Sequence, residues 1–232
     1  MAKFPFFGAP ETSRRIAEAD SVAVIGLGRF GSSLAAELMT GGTEVLGIDL
    51  DEELVQSHNG ILTQVVRADS TKREALEQLA VDEFDRVVVA IGGDISASIL
   101  TCSVLKSMDI PVIWAKAVDD QHGLILEQLG VHHVVYPEKD MGRRVAHLVR
   151  GAALDFIEIA PGYAMVKAPA PSTIQGKPLG ETGIRKTYGV TIAAFHHNGT
   201  WNNADNTTIL DADDTILVVG PTRAAESFAQ LL

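Results

Sequence analysis

The chain has 232 residues, 46% of them hydrophobic, with 30 acidic side chains against 19 basic ones and a formal net charge of −11. That length accommodates one full α/β domain and a smaller second one, but not a dinucleotide domain plus a large catalytic domain. The acidic balance and the lack of any Lys/Arg cluster exclude a nucleic-acid partner, and the single cysteine, Cys102, excludes a disulfide framework or thiolate metal cluster and fits a reducing cytosol.

No apolar run reaches the roughly 18 residues needed to cross a bilayer, so no transmembrane segment is expected. At the start, Phe4-Pro5-Phe6-Phe7 is too short for a signal-peptide core and lacks a basic leader; its aromatics would either dock on a partner or pack down as a tail. A polar amphipathic lead follows over residues 11–20. Residues 21–49 then read as strand, turn, helix and strand. The turn is Gly26-Leu27-Gly28-Arg29-Phe30-Gly31, a G-x-G-x-x-G, and Asp49 closes the second strand about twenty residues on, the arrangement of a dinucleotide fold. Gly26 permits the tight turn, Gly28 lets the backbone approach a pyrophosphate, and Gly31 lets the helix lie close to the strand. Phosphate would rest on the first free amides of the helix, and Asp49 would accept hydrogen bonds from ribose hydroxyls. A carboxylate there repels a 2′-phosphate, so NAD, ADP or ATP is expected before NADP. Arg29 adds charge beside the phosphates, which suits a ligand richer in phosphate than a diphosphate; an exposed helix-start arginine is the alternative.

Residues 51–59 predict a second helix and 63–67 a third strand, followed by Ala68-Asp69-Ser70-Thr71 at the edge where open α/β sheets bind ligands. Asp69 would cap the helix over 72–79 or face an adenine. The β-branched run 85–90 predicts a strand buried on both faces, ending at Ile91-Gly92-Gly93-Asp94. A helix over 96–108, a strand over 111–115, a helix over 121–129 and a strand over 131–136 complete a doubly wound parallel sheet. Right-handed crossovers bring Gly26, Asp49, Asp69, Gly92 and Lys116 to one edge. The domain is expected to cover residues 1–136, with an amphipathic linker or crossover helix over 137–151 whose Met141, Val145, Leu148 and Val149 suggest packing on another subunit or domain. Residues 152–232 form a smaller, mostly antiparallel α+β domain: strands near 154–159, 164–167, 190–195 and 215–219, a loop over 168–173, a helical segment near 179–187 and a last helix from Thr222.

Catalytic groupings are scarce. The pairs His132-His133 and His196-His197 would point to opposite faces of a strand and are expected at the solvent or core edge. His122 and Lys116 lie near the ligand edge without a pattern that aims them at a substrate. Glu138, near bound phosphates, would need a cation between the negative charges; a first-turn glutamate favoured by the helix dipole is the plainer reading.

The stretches AVIGLGRFGSSLAAEL, EVLGID, VVVAIG, IPVIWAKA, LEQLG, YPEKDMG and IRKTYGVTI span nearly the whole chain. On them the chain closely resembles the regulator-of-potassium-conductance (RCK) family, the cytosolic gating subunits of Ktr/Trk-type potassium uptake systems. The resemblance implies a nucleotide-binding Rossmann domain, a crossover helix and a C-terminal domain, in subunits that dimerise and commonly form an octameric ring under a membrane potassium channel. It implies ATP or ADP, sometimes NAD(H), as ligand, and a regulatory subunit at the inner face of the membrane instead of an NAD-dependent oxidoreductase. By motif, Gly26, Gly28 and Gly31 would hold phosphates, Asp49 the ribose, Arg29 the terminal phosphate across the dimer, and Glu138 a Mg²⁺, Ca²⁺ or Na⁺ ion at the nucleotide interface. Phe30 belongs to the same loop, and Asp69, Ser70, Ile91, Gly92 and Lys116 fall on or beside positions lining the pocket. Asp51 stands where relatives often carry Asn, at the ribose. Some relatives bind cyclic di-AMP in the C-terminal domain, and Arg185 lies in the matching segment, although Gly180-Glu181-Thr182-Gly183 replaces a more apolar stretch.

Overall fold

The structure, a computed structural model, describes residues 21–151 and 153–231, so the aromatic segment 4–7 and the amphipathic lead 11–20 lie outside the described residues. The chain divides into two units, Met1–Glu138 and Lys139–Leu232.

In the first unit strands and helices alternate: β1 Ser21–Ile25, α1 Arg29–Thr40, β2 Glu44–Asp49, α2 Glu52–His58, β3 Gln64–Arg67, α3 Arg73–Gln78, β4 Arg86–Val89, α4 Ile95–Ser107, β5 Val112–Lys116, α5 Asp120–Gln128 and β6 His133–Val135. The six strands are parallel and ordered β3-β2-β1-β4-β5-β6. Alternate residues of β1 explain the layering, because successive side chains leave a strand on opposite faces. Val22 and Val24 pack with Val45, Leu62 and Ala35 of α1, whereas Ala23 and Ile25 pack with Ile48, Val87, Ile113, Leu105 of α4 and Leu126 of α5. Each such buried aliphatic side chain contributes about 1.5–3 kcal/mol, which is why β-branched runs with no polar face form the centre of this sheet. The sixth strand is shorter than expected, three residues instead of the run 131–136.

The helix α6, Pro137–Arg150, leads into the second unit, which contains β7 Asp155–Ala160, β8 Tyr163–Pro169, α7 Leu179–Thr182, α8 Ile184–Tyr188, β9 Thr191–His197, β10 Thr200–Asn203, β11 Thr215–Pro221 and α9 Thr222–Ala229. The sheet order is β10-β9-β11-β8-β7, antiparallel throughout. Phe156, Ala164, Val166, Ile216 and Val218 point to the buried face and meet Ala225 and Phe228 of α9.

Three expectations for this unit change. The strand β10 was not anticipated, since all four of its residues are exposed and carry no hydrophobic alternation. Asn198-Gly199 before it, both at positive φ (48° and 81°), is the two-residue turn that joins hairpin strands, and this pair was the available signal. The expected loop 168–173 is partly ordered: β8 continues through Pro169, paired with Thr215, and Ser172–Ile174 forms a 3₁₀ turn. The helical segment near 179–187 is broken in two by Gly183, whose φ of 65° no continuous helix tolerates.

Candidate functional site

A cleft of about 370 Å³ opens at the carboxyl ends of β1 to β4, lined by Gly26, Gly28, Asp49, Asp51, Asp69 and Gly92 among others. The strand order reverses between β1 and β4, and in open α/β sheets that reversal is where ligands bind. The three glycines do three different jobs. Gly26 sits at φ +96°, closed to side chains. A Cβ on Gly31 would lie 1.8 Å from the carbonyl oxygen of Gly26, so only glycine lets α1 start this close to the turn. A Cβ on Gly28 would meet nothing within 4 Å, so the space above its backbone is open for a ligand. Gly28 is also the N-cap of the 12-residue α1, with no side-chain cap and no acid in the first turn. By contrast α2, α4 and α5 begin on Asp51, Asp94 and Asp119, each accepting a backbone N–H of its own helix. The amides at the start of α1 are therefore left for an external anion. This cradle fits the diphosphate of a nucleotide.

The acid of the motif is anchored. Asp49 accepts from Leu27 N at 2.6 Å and from Asp51 N at 2.9 Å, which pins the glycine loop to the end of β2 and leaves further lone pairs on both oxygens for hydroxyl donors. Asp51 caps α2 through Glu53 N at 2.8 Å, a role that Asn fills equally well. Asp69 does not cap the next helix, contrary to one of the two readings above. Its Oδ1 is taken by the amide and hydroxyl of Thr71, at 3.0 and 2.6 Å, and the hydroxyl above all holds its carboxyl below the usual range. The helix α3 begins instead on Lys72 without a side-chain cap. Ser70 is buried and its hydroxyl pairs with Thr101 at 2.8 Å, while Ile91 packs against the Gly26 backbone. Asp49, Asp51, Asp69 and Asp94 together make the cleft lining acidic.

Two cations, Arg29 and Lys116, stand outside this lining, the first next to Gly28 in sequence and the second beside Gly92. Arg29 is exposed and its guanidinium makes no hydrogen bond or ion pair among the described residues. Lys116 is 8% exposed, at the end of β5; its ammonium stands beside Gly92, 5.8 Å from the Phe30 ring centre, and donates to Glu138 Oε1 at 2.6 Å. That bond, helped by the charge of Arg29, holds the Glu138 carboxyl below its ordinary value. An ion at Glu138 would thus share the carboxylate with Lys116.

Among the remaining candidates, Arg185 belongs to the second unit, where it lines a cleft of about 290 Å³ with Gly180, Gly183, Ile184 and Asn206. A Cβ on Gly180 would stand 3.1 Å from the Asn206 carbonyl, which explains glycine in the departing segment. His122 is buried and takes Val118 N on Nδ1; burial lowers its pKa. His132 accepts from Ile113 N, and His133 stacks on Trp114. His197 bonds the buried Asp214 at 2.6 Å, a pairing with no signal in sequence because 17 residues separate the two.

The comparisons with known proteins agree with this geometry. Residues 22–137 match the TrkA-N domain and residues 163–232 the TrkA-C domain. The Ktr system potassium uptake protein C of Bacillus subtilis is 38% identical over 85% of this chain and 90% of its own length. The Ktr system potassium uptake protein A of Vibrio alginolyticus is 36% identical over 86% and 91%. Two solved structures share the fold at a TM-score of 0.64. The GsuK RCK domain (18% identical) aligns over 100% of this chain and 50% of its own, and the GsuK channel bound to NAD (17%) over 98% and 41%. With both halves matched in order and relatives of nearly equal length, the chain belongs to the TrkA/Ktr family of potassium uptake proteins, whose RCK fold it carries.

Proposed function

We propose that the chain is a cytosolic regulatory subunit that binds an adenine nucleotide, ATP or ADP, and gates a membrane potassium channel or transporter. The observation that carries this reading is the uncapped start of α1 beneath the open face of Gly28, in a cleft whose lining includes Asp49 and Asp51, with Lys116 beside Gly92 and Arg29 following Gly28. Backbone amides hold two phosphates, Asp49 takes ribose hydroxyls, and Arg29 is left for a further phosphate, in this subunit or a neighbouring one. A ligand shifts a conformational equilibrium only by binding the two states unequally, so ATP and ADP differ in effect to the extent that Arg29 meets the extra phosphate. A cation between Glu138 and the phosphates, Mg²⁺, Ca²⁺ or Na⁺, would offset the repulsion of like charges. The exposed Met141, Val145 and Val149 of α6 supply an apolar face for a homodimer, and an octameric ring at the inner face of the membrane is the assembly in which such dimers act on a channel. A cyclic dinucleotide such as cyclic di-AMP at Arg185 would add a second input.

NAD(H) is the second reading, favoured by the acidic ribose edge and by a fold neighbour described with NAD. As an oxidoreductase cofactor it would show turnover and a change in reduced-nicotinamide absorbance with a small substrate. As a sensed ligand it would bind without turnover. Isothermal titration of the purified chain with ATP, ADP and NADH separates these outcomes, and co-purification with a potassium transporter tests the partner. Arg29→Ala is expected to narrow the functional difference between ATP and ADP while leaving ADP affinity largely intact; equal loss for both nucleotides would count against the role given to Arg29.

A further inference from the structure

The second unit holds a larger cleft of about 550 Å³ between the last turn of α6 and one side of α9. From α9 it is lined by Arg223, Glu226, Ser227 and Gln230, the i, i+3, i+4, i+7 positions of one helical face, and from α6 by His147 and Arg150. The lone carboxylate in this lining, Glu226, is bonded by His147, whose ring is stacked 3.8 Å from Phe156. The two arginines are different. Arg143 and Arg144, earlier on α6, each rest on an aspartate at 2.7 Å, but Arg150 and Arg223 have neither a hydrogen bond nor an ion pair among the described residues. Two exposed arginines therefore line one cleft with no hydrogen bond or ion pair of their own, and the one carboxylate beside them is already bonded by His147, in a chain whose net charge is −11. Beside them are further donors: the Ser227 hydroxyl, and the Gln230 amide, which reaches the end of α6 so closely that a Cβ on Gly151 would lie 3.2 Å from it.

We propose that this cleft is a second anion site, which takes a phosphate-bearing ligand between Arg150 and Arg223. Guanidinium forks match phosphate oxygens in pairs, and a dianion satisfies both arginines at once where a carboxylate would satisfy one. The ligand class is a phosphomonoester or pyrophosphate group, carried by a soluble metabolite or displayed by an anionic lipid. The site is independent of the glycine-loop cleft, since every residue that forms it lies in the other unit.

The test compares isotherms of the full chain and of Arg150→Gln/Arg223→Gln, each titrated with inorganic pyrophosphate. Any binding at the glycine loop is common to both, so the difference isolates the arginine cleft. The expected result is a component weakened about tenfold or more in the double variant, with thermal midpoint and ATP affinity unchanged. Arg150→Lys/Arg223→Lys, which keeps the charge and loses the fork, should fall between. In parallel, co-sedimentation with phosphatidylcholine vesicles, with and without phosphatidic acid, whose headgroup is a phosphomonoester, distinguishes the sources: a variant-sensitive loss only on phosphatidic acid vesicles supports a lipid headgroup, a loss with pyrophosphate supports a soluble one. Identical behaviour of the native chain and the glutamine variant with both probes overturns the proposal, whatever becomes of nucleotide binding at the first site.

Discussion

The two units handle charge in opposite ways. In the first, cleft carboxylates are already committed to their own backbone: Asp49 to the glycine loop, Asp51 and Asp94 to helix starts, Asp69 to Thr71. What is left open there is backbone, the amides of α1. In the second, the central strands spend their backbone on an antiparallel ladder, and the cleft is lined by side chains, among them two arginines without a hydrogen bond or ion pair among the described residues. A site made from backbone depends on where glycine is allowed and where caps are missing. A site made from side chains depends on which helices the fold lays side by side.

Glycine substitutions separate fold from binding in the first unit and carry the largest expected effects. Gly31→Ala drives a methyl into the Gly26 carbonyl and should cost about 3 kcal/mol or more, seen as a lower urea midpoint for the full chain. Gly28→Ala meets open space at an ordinary φ of −65°, so stability should change by less than about 1 kcal/mol while ATP and ADP affinity falls about tenfold or more, because the methyl occupies the phosphate cradle. If both variants lost stability equally, the distinction between a packing glycine and a binding glycine would be lost.

Smaller effects sharpen the electrostatic side. Glu138→Gln keeps an oxygen for Lys116 to donate to but takes the counter-charge from a lysine side chain only 11% exposed, so its cost should exceed the roughly 1 kcal/mol of a fully exposed pair. Its distinguishing consequence should be loss of Mg²⁺, Ca²⁺ or Na⁺ dependence in nucleotide-driven activation of a reconstituted transporter; an unchanged cation response would remove the ion from Glu138. In the second unit, the Asp214 carboxylate raises the pKa of His197 above 6.5. A group whose pKa rises on folding stabilises fully below its unfolded value and loses that contribution as pH climbs through the folded value. The native chain should therefore lose a little stability as pH rises above about 6.5 and through the raised value, and His197→Gln should flatten that stretch of a denaturation profile measured at several pH values.

Much of the first site was legible because its signals are local. Gly26, Gly28 and Gly31 fall within a six-residue segment, Asp49 follows at the end of the next strand, and each position has a stereochemical reason to be that residue. Of the two roles open to Asp69, helix capping is lost to a local competitor, because Thr71 two residues away takes its Oδ1 before it can reach a helix start. Lys116 stands at the end of β5 beside Gly92, yet its pairing with Glu138 joins residues 22 apart, and no spacing rule forecasts it.

The chain's own order of residues, then, determined the periodicities, the parallel sheet with its reversal point, the glycine loop and the acid beside it. These follow from backbone sterics and from burial of β-branched runs, which act over a few residues at a time. Only the folded arrangement decided which charges are spent and which are free: Lys116 on Glu138, His147 on Glu226, His197 on Asp214, and Arg29, Arg150 and Arg223 without a hydrogen bond or ion pair among the described residues. The reason is distance, since a hydrogen bond or ion pair requires contact within a few ångströms, and separation along the chain says nothing about it until the core has brought the elements together.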